Sequence, residues 1–321
     1  MILTLTPNPT IDRVILCRNF SLGTVVRAEG EAITPCGKGV AASVVIHELG
    51  GDTVALGLRA GITGDLHAAL LDGLGVEHDL VPAQGETRTM VVLVDLAVHQ
   101  QSSISAPTLQ ATGAHLSELI ARLEANAGGA WGLICGGSLP PGLPVDSYAQ
   151  LLRWARQRGL VTLLDSSGEA LRRGVGGLPH ILKVNRRELV ELDPGAPADL
   201  DELVAVMVPR LGSWATEALI VTLGEQGTIA VTSAGSYRAL PPRVPVVNTA
   251  GAGDALAGGM MLARSRGSDW PAALALGTAA GASVVMNEGT ATSRRTEVEE
   301  LLPRVRVEEL TLGWVADELG L

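Results

Sequence analysis

Residues 248–254 read Asn-Thr-Ala-Gly-Ala-Gly-Asp, and a run of small residues follows from Ala255 to Ala263. The β-branched stretch Val244 to Val247 reads as a strand before it, and the Ala/Leu/Met pattern after it reads as a helix. Strand, glycine turn and helix in that order would place the N–H groups of Ala252, Gly253 and Asp254 at a helix N-terminus. There the first amides lack intrahelical partners and the macrodipole adds positive potential. Gly251 and Gly253 would let a phosphate come close to the backbone. Asp254 has two readings. A carboxylate beside an anion-binding turn suits a proton acceptor for an attacking hydroxyl, and it equally suits a helix cap.

The rest of the chain supplies a scaffold for such a turn. Strands are expected at Ile2 to Thr6, 53–58, 76–81, Trp131 to Cys135, Leu160 to Asp165, Ile181 to Val184 and Ala218 to Thr222. Helices are expected from Lys38 to about Leu49 and over 65–73, 112–126, 145–158, 199–211, 253–266, 270–287 and 296–302. A glycine-marked hairpin spans 224–240. Strands alternating with helices imply right-handed crossovers and a mostly parallel sheet. Two β-rich intervals, about 11–35 (with runs at Val14 to Cys17, Thr24 to Arg27 and Ala32 to Thr34) and 86–106, break the alternation. They read as a small sheet standing over the strand ends, a lid, within one α/β domain of residues 1–321.

Composition narrows the function. With 34 acidic against 24 basic residues the formal charge is −10, and aromatics make up only 2%. Nucleic-acid and membrane partners are therefore not expected. Three scattered cysteines make neither a disulfide framework nor a metal set, and the N-terminus has no secretory pattern, so a cytoplasmic setting is expected. His47 and His99 lack partners at metal-ligand spacing.

Polar residues recur at the strand ends: Asp12, Gly136 to Ser138, Asp165 to Gly168, Lys183 to Asn185 with Glu188, Thr222 to Gly224, and Gly251 to Asp254. Ligands of an open α/β sheet collect at that edge.

The ordered segments TPNPTID (6–12), CGKG (36–39), TR (87–88), GSLPPG (137–142), DSSGEAL (165–171), KVNRRE (183–188), TLGEQG (222–227) and GAGD (251–254) resemble the PfkB-type carbohydrate kinases of the ribokinase-like superfamily. The likeness spans nearly the whole chain. Asn248, where the nucleoside and ribose branch usually has Asp, leans toward the branch acting on fructose 1-phosphate, tagatose 6-phosphate or fructose 6-phosphate. The resemblance implies ATP-dependent phosphorylation of a sugar or sugar phosphate, with fructose 1-phosphate the leading acceptor. It implies Asp254 as base and the amides of Gly251, Ala252 and Gly253 as anion hole. Asn185 and Glu188 would position Mg²⁺ through water. Lys183, Thr222, Gly224, Gly227, Ala282 and Asn287 would line the ATP side, and carbonyls around Asn248, Ala250 and Asn287 match where some relatives hold K⁺. Asp12, Gly37, Lys38 and Ser138 would meet the sugar, and Arg27 and Arg88 its phosphate. Relatives often dimerise through the lid.

The acceptor side departs from the family pattern. Cys36 replaces a glycine, and Ala41, Val44, Met90 and Val92 stand where Asn, Arg, Asn and Lys are usual; Val26 stands where Asn is frequent. This leaves three further readings: another phosphosugar, an unphosphorylated sugar or nucleoside, or a nucleotide-binding regulator without catalysis. A Rossmann dehydrogenase is disfavoured, since no GxGxxG follows the first strand.

Overall fold

The computed structural model describes residues 1–310 of the 321-residue chain. In chain order the elements are β1 (Ile2–Thr6), β2 (Thr10–Cys17), β3 (Gly30–Cys36), α1 (Lys38–Glu48), β4 (Thr53–Arg59), α2 (Gly61–Leu74), β5 (His78–Pro82), β6 (Arg88–Asp95) and β7 (Gln100–Ser105). There follow α3 (Gly113–Asn126), β8 (Gly132–Gly136), α4 (Ser147–Gln157), β9 (Val161–Asp165), α5 (Gly168–Val175), β10 (Ile181–Asn185), α6 (Arg186–Leu192) and α7 (Leu200–Ser213). The described residues end with β11 (Ala218–Thr222), β12 (Thr228–Thr232), β13 (Gly235–Leu240), α8 (Ala252–Ser265), α9 (Trp270–Met286), α10 (Arg295–Leu301) and β14 (Arg306–Glu309).

Ten strands form one sheet in the order β14-β13-β12-β11-β10-β9-β8-β1-β4-β5. From β5 to β11 every pairing is parallel, and β12, β13 and β14 extend it antiparallel. The buried, aliphatic strands are what a sheet covered on both faces requires. Leu3 and Leu5 of β1 pack with residues of α3, α4, α5, α6 and α7, whereas Ile2 packs with α1, α8, α9 and α10 on the opposite face. After β5 the chain returns to β8 on the other side of β1. The strand order therefore reverses at β1/β8, the place where such sheets open a crevice.

The second sheet has four strands in the order β3-β2-β6-β7, with β2 and β6 parallel. It is the small sheet expected from 11–35 and 86–106. Its inner core is Val14, Leu16, Val92 and Val94, with Val247 packed against them.

Several local expectations are corrected. Val244 to Val247 forms no strand, because Pro241, Pro242 and Pro245 remove the donors a ladder needs; instead the N–H of Val247 donates to Val285 O at 2.7 Å. Thr24 to Arg27 is an irregular exposed connection. Two short helices, α5 and α6, follow the DSSG and KVN strand ends, where only polar turns had been expected. The edge strand β14, rich in alternating charge, carries no apolar run that would announce it.

Helix α8 is held unusually close to its neighbours by small residues. A Cβ added to Gly258 would lie 2.8 Å from Ala42 O, one on Gly277 2.6 Å from Leu256 O, and one on Gly281 2.9 Å from Ala252 O. The small-residue run after Gly251 thus seats α8 between α1 and α9 and fixes where its N-terminus points. Alanine is the better helix former by ~1 kcal/mol, yet Gly277→Ala is expected to lower stability by about 1–3 kcal/mol through overpacking. Urea unfolding measures it, and an unchanged or raised midpoint would show that α8 and α9 separate freely.

Candidate active site

The carboxyl edge of the parallel strands gathers most of the residues singled out above. Gly251 begins the turn before α8 with φ 84°, and a Cβ there would sit 2.5 Å from Ala291 N. Left-handed backbone and lack of space both demand glycine. The backbone donors leading into the turn are accounted for: Val247 and Asn248 N–H donate to Val285 O, Thr249 N–H to Gln101 Oε1, and Ala250 N–H to Asn248 Oδ1. Beyond them, Gly253 and Asp254 sit in the first helical turn, where an N–H has no intrahelical acceptor. A Cβ on Gly253 would be 2.9 Å from Lys183 Nζ, so a cation lies directly over this turn.

Two lysines and two carboxylates lie beside it. Lys38 Nζ donates to Asp165 Oδ1 at 2.6 Å and to Glu188 Oε1 at 2.9 Å, and Lys183 Nζ donates to Asp165 Oδ2 at 2.5 Å. Burial would raise the Asp165 pKa, but the charges of Lys183 and Lys38 override it and hold the carboxyl below its ordinary value. Burial would likewise lower Lys38, and Asp165 and Glu188 push it above its ordinary value instead. The four charges balance. Asp254 is therefore the excess negative charge: loss of water first, and repulsion from Asp165 second, raise its pKa to about 7 against the pull of Lys183 and Lys38.

Asn185 and Glu188 cap α6 reciprocally. Glu188 N–H donates to Asn185 Oδ1 at 2.9 Å, and Asn185 N–H donates to Glu188 Oε2 at 2.8 Å. The cap uses one Glu188 oxygen and leaves the other to accept from Lys38. Asn185, Thr222 and Gly224 line a cavity of about 400 Å³, together with Arg186, Arg187 and Gln226, which the sequence had not marked. Gly227 (φ 90°) closes the loop behind it, where a Cβ would strike Ala239 O. Ala282 is buried in α9, and the Asn287 amide donates to Ser283 O and to Glu297 Oε2 rather than into the cavity.

On the acceptor side Asp12 is buried, and its Oδ1 has no hydrogen-bond partner among the described residues. Burial raises its pKa, while nearby Thr290, Cys36 and Thr10 and the charge of Arg88 draw it back. Arg88 reaches Ser105 Oγ at 3.2 Å and Asn8 O at 3.5 Å and is paired with no carboxylate among the described residues. Asn8 Nδ2 donates to Ser138 Oγ at 3.0 Å, and Thr108 donates to Asn8 Oδ1 at 2.5 Å. Gly37 (φ 114°) packs against Thr6 at the start of α1, where any Cβ would lie 2.5 Å from Thr6 Cγ2. Arg27 stands apart, exposed in the connection between β2 and β3.

The departures from the family pattern are filled rather than left open. Ala41 is fully buried against Cys36 and Ala291, Val92 lies in the small sheet's core with Met90 packed on it, and Val44 packs against Val40, Ala55, Leu71 and Val76. Sequence reasoning had passed over Asp165 as a site residue. Its strand-end position was visible, but its lysine partners, 127 and 18 positions away, were not.

Known proteins resemble this chain over most of its length. The family model described as "pfkB family carbohydrate kinase" matches residues 6–297. The ATP-dependent 6-phosphofructokinase isozyme 2 of Mycobacterium tuberculosis is 30% identical over 304 residues, covering 93% of this chain and 88% of that protein. The 1-phosphofructokinase of Xanthomonas campestris is 31% identical over 265 residues, covering 81% and 83%. Among solved structures, phosphofructokinase-2 from Escherichia coli in complex with potassium superposes with a TM-score of 0.85 at 26% identity, covering 94% of this chain and 98% of that one. With nearly its whole length matched, the chain belongs to the pfkB family of carbohydrate kinases.

Proposed function

We propose that the protein transfers the γ-phosphoryl group of ATP to a hydroxyl of a sugar phosphate, with fructose 1-phosphate, giving fructose 1,6-bisphosphate, the first acceptor to test. The observation that carries this reading is Asp254, a carboxyl with a pKa near 7 set into the first turn of α8 beside amides that can take an anion. A base poised near the working pH suits removal of a proton from an alcohol as it attacks. In the proposed step Asp254 accepts the acceptor's hydroxyl proton and the oxygen forms the new bond to the γ-phosphorus. The bond from that phosphorus to the bridging oxygen breaks, and ADP leaves with its electron pair. The amides of Gly251 and Gly253 and the ammonium of Lys183 would face the charge that develops on the transferred group, joined by Ala252 once its N–H leaves Thr249 O, from which it lies 3.4 Å away.

ATP would lie in the cavity lined by Asn185, Thr222 and Gly224, with Gly227 shaping its loop and Ala282 and Asn287 toward the base. Both Glu188 oxygens and both Asp165 oxygens are already engaged. This donor set fits Mg²⁺ held through water near Asn185 and Glu188, the manner of a cation that dehydrates reluctantly; when bound, it would neutralise phosphate charge. Segments 247–250 and 285–291 are knitted by backbone bonds, as a K⁺ site at the carbonyls of Asn248, Ala250 and Asn287 would need. The potassium complex of the Escherichia coli protein supports this reading.

A phosphorylated acceptor is favoured by Arg88, a partly buried guanidinium without a carboxylate partner close to Asp12. Asp12, Gly37, Lys38 and Ser138 would surround the sugar, with Arg27 supplying a second cation from the exposed connection. The apolar trio Cys36, Ala41 and Ala291 favours, as a second reading, an acceptor with fewer hydroxyls. The four-stranded sheet would serve as the lid of a single domain, of which residues 311–321 lie outside the described residues. Ile104 (68%) on β7, and Leu22 (90%) and Val25 (98%) in the β2–β3 connection, are exposed, which suits a homodimer formed through the lid. No helix among the described residues is long and apolar enough to cross a membrane, in keeping with a cytoplasmic small-molecule kinase.

Asp254→Asn is expected to lower kcat by about 10²–10⁴-fold while leaving ATP binding intact, and near-normal turnover would remove Asp254 as the base. The same variant carries a stability signature. Because the folded pKa is raised from 3.8 to about 7, ionising Asp254 opposes folding. That penalty is absent below pH 3.8, grows between the two values and is complete above about 7. The asparagine variant should therefore melt higher than the natural protein at pH 8, with the gap closing toward pH 4.

In the free enzyme, kcat/KM should decline on the acid side with a midpoint near 7, as Asp254 takes up its proton. A flat profile from pH 5 to 8 would argue against that assignment.

An ADP-release panel covering fructose 1-phosphate, fructose 6-phosphate, tagatose 6-phosphate and the free hexoses identifies the acceptor. Arg88→Ala should raise KM for the phosphorylated acceptor by about 10- to 100-fold, the equivalent of one charged hydrogen bond or two. Equal loss on phosphorylated and free sugars would assign Arg88 to structure.

A further inference from the structure

The accounting of donors before the glycine turn contains one partner from the small sheet. Val247 and Asn248 N–H groups are held by Val285 O and Ala250 N–H by Asn248 itself, both within the body of the protein. Thr249 alone is held from β7: its N–H and its hydroxyl both donate to Gln101 Oε1, at 3.1 and 3.2 Å. Two residues earlier, Val247 packs on the core of the same sheet, against Val14, Leu16, Val92 and Val94. The segment that delivers Gly251 to Asp254 is therefore clamped on one side by α9 and on the other by the lid.

The two sides of the clamp differ in kind. The Val285 carbonyl belongs to α9, which is packed closely against α8 through Gly277 and Gly281. Thr249 is exposed, so if β7 moved away water would satisfy its N–H and hydroxyl, an exchange close to neutral in free energy. A contact that water can replace works as a latch, because it breaks without leaving a buried donor unpaired.

We propose that Gln101 is a positioning residue that latches the lid to the phosphoryl-transfer turn: small-residue packing aims α8, and seating of β7 steadies the segment from Val247 to Ala250 that leads into Gly251. This rests on the phosphotransfer reading of that turn. Lid seating and steadying of that segment become one event. An enzyme built this way steadies its catalytic turn when the cleft is covered, when the competing acceptor, water, is excluded.

The test has two arms. Hydrogen exchange of the segment 247–254 compares the natural protein with Gln101→Leu, which loses the acceptor, and Gln101→Glu, which keeps one. Exchange at Thr249 and along the turn should quicken several-fold in the leucine variant and return toward the natural rate in the glutamate variant, with unfolding midpoints unchanged. Identical exchange in all three overturns the latch, and this arm needs no turnover. In the second arm, MgATP and fructose 1-phosphate are used with the natural protein and Gln101→Leu. The leucine variant should show kcat lower by about 10- to 100-fold with KM for MgATP unchanged. Quickened exchange with unaltered kcat would overturn the positioning role. Absence of turnover in the natural protein would count against fructose 1-phosphate as acceptor, and the exchange arm would still decide the latch.

Discussion

Two ammonium groups hold the carboxyl edge of this sheet together. Lys38 comes from the first turn of α1, Lys183 from β10, Asp165 from the end of β9 and Glu188 from α6, and three short ion pairs join them. Each group alone would be costly to bury. As an alternating set they bring four separately placed elements into one register, and breaking any pair would strand a charge in a place with little water. Balance within the set also explains its neighbour. Asp254 has no cation of its own, and its high proton affinity follows from being the odd charge beside a neutral quartet.

The α8 turn depends on a different kind of constraint. Its direction is set by the close approach of α8 to α1 and α9, which only glycine and alanine permit. Along the middle of the helices that packing is made by small residues, with Arg264 lying 4.6 Å over the Trp270 ring at one end, which suits a chain with a single phenylalanine and an aliphatic core. Electrostatics gathers the strand ends, and steric closeness aims the helix.

Much of this was legible beforehand. The apolar strands of the main sheet stand within two residues of where their pattern puts them, since burial on both faces leaves a continuous aliphatic run. Val244 to Val247 misled because β-branching outweighed three nearby prolines in the reading, although a proline is the stronger constraint on a ladder. Helices α5 and α6 were hidden by their motifs: DSSG and NRRE look like loops, and of the two only α6 carries reciprocal capping bonds, between Asn185 and Glu188. Among the candidate site residues, Asn185, Glu188 and Asp254 were marked by their strand-end or glycine-turn positions, and their roles came from the family resemblance. Asp165 was not given a role, because what distinguishes it is the arrival of Lys38 from a distant part of the chain. The substituted positions 41, 44, 90 and 92 looked like losses in the sequence; in three dimensions they are packed.

The small sheet is joined to the large one four times. Its β2–β3 side is tethered by Pro7 to Pro9, stiffened by two prolines, and by Gly37 alone before α1. Its β6–β7 side is tethered by the longer connections 83–87 and 106–112. The parallel β2–β6 ladder, running from Thr10 opposite Arg88 to Cys17 opposite Asp95, prevents the halves from parting. Any tilt of the sheet would therefore pivot about the tethered end that carries Asp12, and the far strand ends, Gln101 of β7 among them, would move furthest. The tethered end carries Asp12, and the far end carries Gln101, which meets the segment leading into Gly251.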